Sequence, residues 1–261
     1  MRESGPSLTA QRVAAHRLQF DRVTTPYGDA SADMALTGDV AAGYAASQGR
    51  MHEYLRARTG FFDRVVVGAI EAGITQVVVG GAGYDGRSLR YAKPGTRWFE
   101  LDHPATQADK LARLDHLGID PVQVRFVAAD FAEDAVAHRL TLAGLDTTRA
   151  TLFLLEGVAV YLEADVLVGL LHQFRLVAGA GSRLAISVSV ASGAGDAVTR
   201  ARFYTTVAAL GEPVRSTLAL AEAEEVLDRS GWHLSTAKET GQQALTRTER
   251  RRSIGLLLAE M

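Results

Sequence analysis

Residues 75–87 read Thr75-Gln76-Val77-Val78-Val79-Gly80-Gly81-Ala82-Gly83-Tyr84-Asp85-Gly86-Arg87. A β-branched run breaks here into glycines, where missing side chains let a ligand approach the backbone and a turn reach positive φ. This is the signature of a nucleotide-binding loop after the first strand of an α/β sheet. Gly81, Gly83 and Gly86 also spell G-x-G-x-x-G, with Glu100 and Asp102 about 20 residues on, so a dinucleotide is a rival ligand and the loop alone does not separate the two.

Outward from the loop, short apolar runs alternate with longer segments of helical period, the pattern of a mostly parallel sheet with crossover helices. Strands are predicted at 75–80, 97–101, 123–128, 151–155 and 183–189, with two more at 232–237 and 252–259. In 163–178, Val166, Leu167, Leu170, Leu171, Phe174 and Val177 form the stripe of a helix lying on a sheet. A later helix is predicted to end at Gly231, a residue suited to a left-handed cap. The prediction is therefore an α/β fold with one doubly wound, seven-stranded, mostly parallel sheet, in a single domain over 1–261. Residues 1–72 read as a helical N-terminal cover and 190–217 as an inserted lid, both expected to roof a pocket at the carboxyl edge of the strands.

The second predicted strand closes on Trp98-Phe99-Glu100-Leu101-Asp102, and a carboxylate there can accept both hydroxyls of an adenosine ribose. The competing reading for either acid is a helix-start charge beside Pro104. After the third strand, Asp130 and Phe131 offer an acceptor for an adenine amino group beside an aromatic face, or simply a solvated loop acid.

Composition narrows the partner. The chain of 261 residues carries 28 Lys plus Arg against 30 Asp plus Glu and no Cys. The near-neutral balance gives no field to gather nucleic acid or an anionic membrane, so a small molecule is expected. Absence of Cys removes disulfides, thiolate nucleophiles and Cys-ligated zinc, and fits a reducing cytoplasm. The opening residues hold no signal-peptide run, and no stretch approaches the roughly 18 apolar residues of a membrane span. A cytoplasmic protein without membrane partner is expected, as monomer or homodimer.

Five pieces in order carry a resemblance: Arg58-Thr59-Gly60-Phe61-Phe62-Asp63; Gln76 to Arg87 with Arg90; Phe99-Glu100-Leu101-Asp102-His103-Pro104 with Lys110; Asp130-Phe131; and Glu156-Gly157-Val158-Ala159-Val160-Tyr161-Leu162. Over roughly residues 9–180 the chain resembles the leucine carboxyl methyltransferase family, which includes protein phosphatase carboxyl methyltransferases and bacterial small-molecule O-methyltransferases such as the tetracenomycin carboxyl methyltransferase. It departs from the family at Gly86, where a small hydroxyl residue is usual, and at Tyr84, where an aliphatic one is.

The resemblance implies a Rossmann-like class I methyltransferase that uses S-adenosyl-L-methionine. By it, Arg58 would hold the methionine carboxylate, Glu156 the methionyl ammonium, Asp102 the ribose, and Asp130 and Phe131 the adenine. Gly81 and Gly83 would pass close to the amino acid part, with Ala82, Asp85, Glu100 and Leu101 completing the cofactor set. The rival hydride transfer would call for features such as Tyr-x-x-x-Lys, which is absent; a noncatalytic cofactor-binding module is the other alternative. Acceptor-side candidates are Tyr161, Arg200, Arg202, Phe203 and Tyr204, a lining suited to a flat acidic or polyketide-like compound. O-methylation of a carboxylate is the expected reaction, with phenolic O-, N- or C-methylation as the alternatives. No metal is demanded, because the donor already carries its leaving group.

Overall fold

The computed structural model describes residues 5–46, 48–189, 204–205, 208, 213–235 and 255–261. Strands β1 (Gln76–Gly80), β2 (Arg97–Asp102), β3 (Val124–Ala128), β4 (Thr151–Leu155), β5 (Arg183–Ser187), β6 (His233–Leu234) and β7 (Leu256–Glu260) form one sheet in the order β3-β2-β1-β4-β5-β7-β6. Strands β1 to β5 run parallel, from the β3 edge to β5, and β7 is antiparallel to β5 and β6. The doubly wound, seven-stranded reading is thus observed. The chain order reverses at β1 and β4, which opens a crevice at their carboxyl ends, where α/β sheets bind ligands.

Period-two alternation decides which face each strand side chain covers. Val78 on β1, Phe99 and Leu101 on β2, and Phe153 and Leu155 on β4 pack with Leu170, Phe174 and Trp232. That face is covered by α6 (Val136–Leu142), α7 (Ala164–Leu176) and α8 (Leu220–Arg229). Val77, Val79, Trp98, Leu152 and Leu154 point the other way, onto Phe61, Phe62, Val66 and Ile70 of α3. The expected stripe on α7 is seen at Leu167, Leu170, Leu171 and Phe174, all buried. Gly231 takes φ of 81° just beyond α8, as its glycine implied.

The N-terminal cover is helical: α1 (Leu8–Arg17), α2 (Ala30–Ala41) and α3 (Arg50–Glu71). Short α4 (Arg87–Arg90) leaves the glycine loop, and α5 (Pro104–His116) starts with proline at its first turn, where a missing N–H costs nothing. β6 starts one residue after the predicted 232, and 236–237 of that prediction lie outside the described residues; Trp232 just before it is buried and donates its indole N–H to the Leu171 carbonyl at 2.9 Å. Of the predicted lid, only 204–205, 208 and 213–217 belong to the described residues. No described helix is long and apolar enough to cross a membrane.

Candidate functional site

The crevice is built on the last residues of β1, β2 and β4. Gly81 takes φ of 64°, and a Cβ there would lie 2.2 Å from the Val158 side chain, so this step of the loop admits only glycine without displacing the turn after β4. The loop is tied to the end of β2: Ala82 donates its N–H to the Leu101 carbonyl at 3.0 Å, and Gly83 donates its N–H to Asp102 Oδ2 at 2.5 Å. Leu101 contributes through its backbone while its side chain sits in the core.

The two acids of β2 share one face of the strand but differ in surroundings. Asp102 accepts two backbone N–H groups, from Gly83 and, at 2.6 Å, from His103. Burial pushes its carboxyl up to about 6, against the pull of those two N–H groups. Glu100 is turned inward, one oxygen accepting from Ser88 Oγ and the other from Lys110 Nζ, both at 2.5 Å. Asp130 lies beyond β3, caps its own loop by accepting from the Ala132 N–H at 2.9 Å, and precedes a half-buried Phe131. Phe131 also borders a shallow open cleft of about 530 Å³ beside Asp134, Val166 and Gln173.

At the end of β4, Glu156 collects three guanidinium groups. Arg58 Nε stands at 3.0 Å, Arg17 Nη2 at 3.1 Å and Arg87 Nη1 at 2.6 Å. Burial alone would raise this carboxyl; Arg87, then Arg17 and Arg58, hold it well below the usual range. Arg87, 1% exposed at its side chain, also reaches Asp63 at 2.7 Å and Asp85 at 2.5 Å. Arg22 bridges Asp63 and Asp33, and Arg90 completes the set on Asp33. Arg58 lies against the Tyr54 ring, 5.7 Å from its centroid, and over Gly157, whose Cβ would stand 2.9 Å from Nη1.

Helix α1 crosses this crevice from end to end. Ser7 before it donates its N–H to Thr106 Oγ1 of α5, Ala10 rests on Gly83 at 3.2 Å from a Cβ built there, and Arg17 at its end meets Glu156. Arg17 and Arg22 escaped the sequence reading: Arg17 ends α1 and meets Glu156 far along the chain, and Arg22, between α1 and α2, meets Asp33 and Asp63, pairings that no local period announces. Arg87 was noted without a role. Tyr161 sits on the 3-10 turn Ala159–Tyr161 just past Glu156 and acts electrostatically on Arg58. Tyr204 meets Thr217 Oγ1 at 2.5 Å, and Ser216 beside Thr217 donates to the Ala159 carbonyl, so residues 216–217 border the same turn. Arg200, Arg202 and Phe203 lie outside the described residues.

Among the described residues, Arg17, Arg22, Arg58, Arg87 and Arg90 face Asp33, Asp63, Asp85 and Glu156, five cations against four carboxylates, and Arg17 Nε is buried without a hydrogen-bond partner among them. A carboxylate paired with an ammonium fits here, the first on Arg17 and Arg58, the second on Glu156. Among the described residues no group of three or more His, Asp or Glu is placed to hold a metal ion.

Residues 10–175 match the family model of leucine carboxyl methyltransferases. The chain belongs to this family. Two curated relatives carry the name "Putative S-adenosyl-L-methionine-dependent methyltransferase". One, from Mycobacterium avium (strain 104), is 40% identical over 149 residues, 56% of this chain and 47% of the relative. Another, from Mycolicibacterium paratuberculosis (strain ATCC BAA-968 / K-10), is 34% identical over 202 residues, 74% of this chain and 63% of the relative. The chain spans about half the length of the first of these curated relatives. The crystal structure of a DUF574 family protein from Streptomyces avermitilis MA-4680 superposes with a TM-score of 0.61 at 22% identity, covering 97% of both chains, and so shares the fold.

Proposed function

We propose that this member of the leucine carboxyl methyltransferase family is an S-adenosyl-L-methionine-dependent O-methyltransferase acting on a carboxylate of a small organic acid in the cytoplasm. The observation that carries it is the cluster of Arg17, Arg58 and Glu156, a receptor for a zwitterion at the end of β4. A dinucleotide has no amino acid end to use it. The donor supplies an activated methyl group on sulfur. Glu156 takes the ammonium, Arg17 and Arg58 the carboxylate, the backbone of Gly81 and Gly83 lies beside the amino acid chain, Asp102 accepts the ribose hydroxyls, and Asp130 with Phe131 receives the adenine.

What the protein must then do is align an oxygen with the methyl carbon at about 3 Å and exclude water. Tyr161 and Tyr204 border the acceptor side. A carboxylate acceptor is ionised at neutral pH, with an ordinary pKa near 4, and needs no general base.

The purified protein is expected to bind S-adenosylhomocysteine at micromolar level in calorimetry and to ignore NAD; binding of NAD alone would end this reading. With an acid acceptor the product is a methyl ester, and the single-turnover rate is nearly flat between about pH 6 and 9, whereas an unassisted phenol gains roughly tenfold per pH unit there. A phenolic ether as the only product would replace the carboxylate while leaving methyl transfer in place.

A further inference from the structure

We propose that Lys110, acting through Glu100 and Ser88, is a positioning residue of the donor site: a buried lock that joins the glycine loop to β2 and presents the Asp102 carboxylate to the ribose. The proposal rests on the donor reading above and deepens it. Lys110 stands on α5 with its side chain 3% exposed, and its Nζ donates to two acceptors, the Asp85 carbonyl at 2.7 Å and Glu100 Oε2 at 2.5 Å. Ser88 fills the other Glu100 oxygen, and Gln107 Nε2 donates to the Glu100 carbonyl at 3.3 Å. Each Glu100 oxygen thus already has a protein donor, and at 2% exposure the residue is more enclosed than Asp102 at 8%.

A buried ammonium is expensive unless paired, and an apolar side chain could fill the same volume without that penalty. Its contacts show what it does instead. Loop residues 82, 83 and 85 are each fastened to one of the last three residues of β2: Ala82 to Leu101 and Gly83 to Asp102 directly, Asp85 to Glu100 through the ammonium. Without the third tie, the loop can pivot about the other two and withdraw the Gly83 N–H from Asp102.

The pair also sets the field at Asp102. From the glycine loop only the Gly83 N–H faces that carboxylate, since the Asp85 side chain is turned to Arg87 and Arg17. α5 contributes Lys110 and the His103 cap, whose Nδ1 accepts from Ala105; β2 contributes Glu100; α1 brings uncharged Ser7 and Ala10 to the loop and to Thr106. Lys110 favours the ionised Asp102 and Glu100 opposes it.

The test uses the full chain with Lys110→Met, Glu100→Gln and the double variant Glu100→Gln/Lys110→Met, each melted thermally and titrated with S-adenosylhomocysteine between about pH 5.5 and 9. Lys110→Met is expected to weaken binding about tenfold or more at neutral pH and to move the acid limb of the profile upward by at least about half a pH unit. Glu100→Gln should move that limb downward. The double variant buries no charge, so its melting temperature should recover while its affinity does not. A double variant with wild-type affinity and a wild-type acid limb would reduce the trio to a prop of the fold and overturn the proposal. Wild-type protein that binds no S-adenosylhomocysteine at any pH would instead overturn the donor reading, and the lock with it.

Discussion

The two ends of the crevice solve the burial of a carboxylate in opposite ways. At the end of β4, proposed above to take the methionine part of the donor and called the methionine end below, Glu156 is surrounded by three arginines and held far below its ordinary range. At the proposed ribose end, on the last residue of β2, Asp102 meets no guanidinium among the described residues but two backbone N–H groups, and burial raises it to about 6. The difference is consistent with the proposed donor, whose ammonium would face Glu156 and whose ribose would face Asp102. A fixed anion suits an ammonium ligand, whereas a carboxylate that takes hydroxyl donors can tolerate a higher pKa as long as it is ionised when the donor arrives.

The comparison breaks most severely at Arg87. Its guanidinium serves Asp63, Asp85 and Glu156 together, so Arg87→Met strands carboxylates in a dry interior and is expected to cost about 3–5 kcal/mol of unfolding free energy. Denaturant unfolding measures it directly. A loss under about 1 kcal/mol would mean that water reaches the network and that the methionine end is not the low-dielectric site described above.

The fold was more legible than the site, and the reason is range. Strand runs such as Gln76–Gly80 and Thr151–Leu155 announce themselves within five residues, because branched side chains between helical stretches carry their own period. Asp102 was singled out because it closes a predicted strand, and Glu156 through the family resemblance. Arg17 lies 139 positions from Glu156 and obeys no period, so only the docking of α1 reveals the pair. Glu100 and Asp102 could not be told apart as ribose acids from their spacing, since residues two apart on a strand share a face; the structure sets them apart by pairing Glu100, and not Asp102, with the Lys110 ammonium.

The ribose end makes a smaller and pH-dependent prediction. A carboxyl whose pKa is raised in the folded state stabilises the fold while protonated: the contribution of Asp102 is complete below about pH 4 and is lost as pH rises through about 6, by roughly 3 kcal/mol at most. Glu156, Asp63 and Asp85, which are lowered, contribute above the ordinary carboxylate range and lose that contribution as pH falls. The Asp102→Asn variant should therefore lose stability less than wild type between pH 4 and 6, and should weaken S-adenosylhomocysteine at neutral pH by about 1.5–3 kcal/mol per hydrogen bond lost. Its binding should also show no acid limb near pH 6. An unchanged dissociation constant would move the ribose contact elsewhere on the crevice.

The smallest effect on binding is expected at Gly86, one of the two departures from the family pattern. Its φ of −99° would suit any residue, so conformation does not explain the glycine; space does. A Cβ at this position would lie 1.8 Å from Asp33 Oδ1 and 2.6 Å from its Cγ, so the carboxylate of α2 occupies the volume that a small hydroxyl side chain would need. Asp33 in turn holds Arg90 at 2.5 Å and Arg22 at 3.4 Å, and reaches the methionine end only by relay through Arg22, Asp63 and Arg87. Gly86→Ala should thus cost about 1–3 kcal/mol of stability as α2 is pushed outward. Affinity for S-adenosylhomocysteine should change less than about threefold, because a relay of separate ion pairs attenuates a displacement at its far end. In a cycle with Asp33→Ala, the double variant should be more stable than the sum of the single losses by about 1 kcal/mol, since removing the carboxylate clears the clash. Additivity within about 0.5 kcal/mol would show that the two positions do not meet, and that the glycine answers to something other than Asp33.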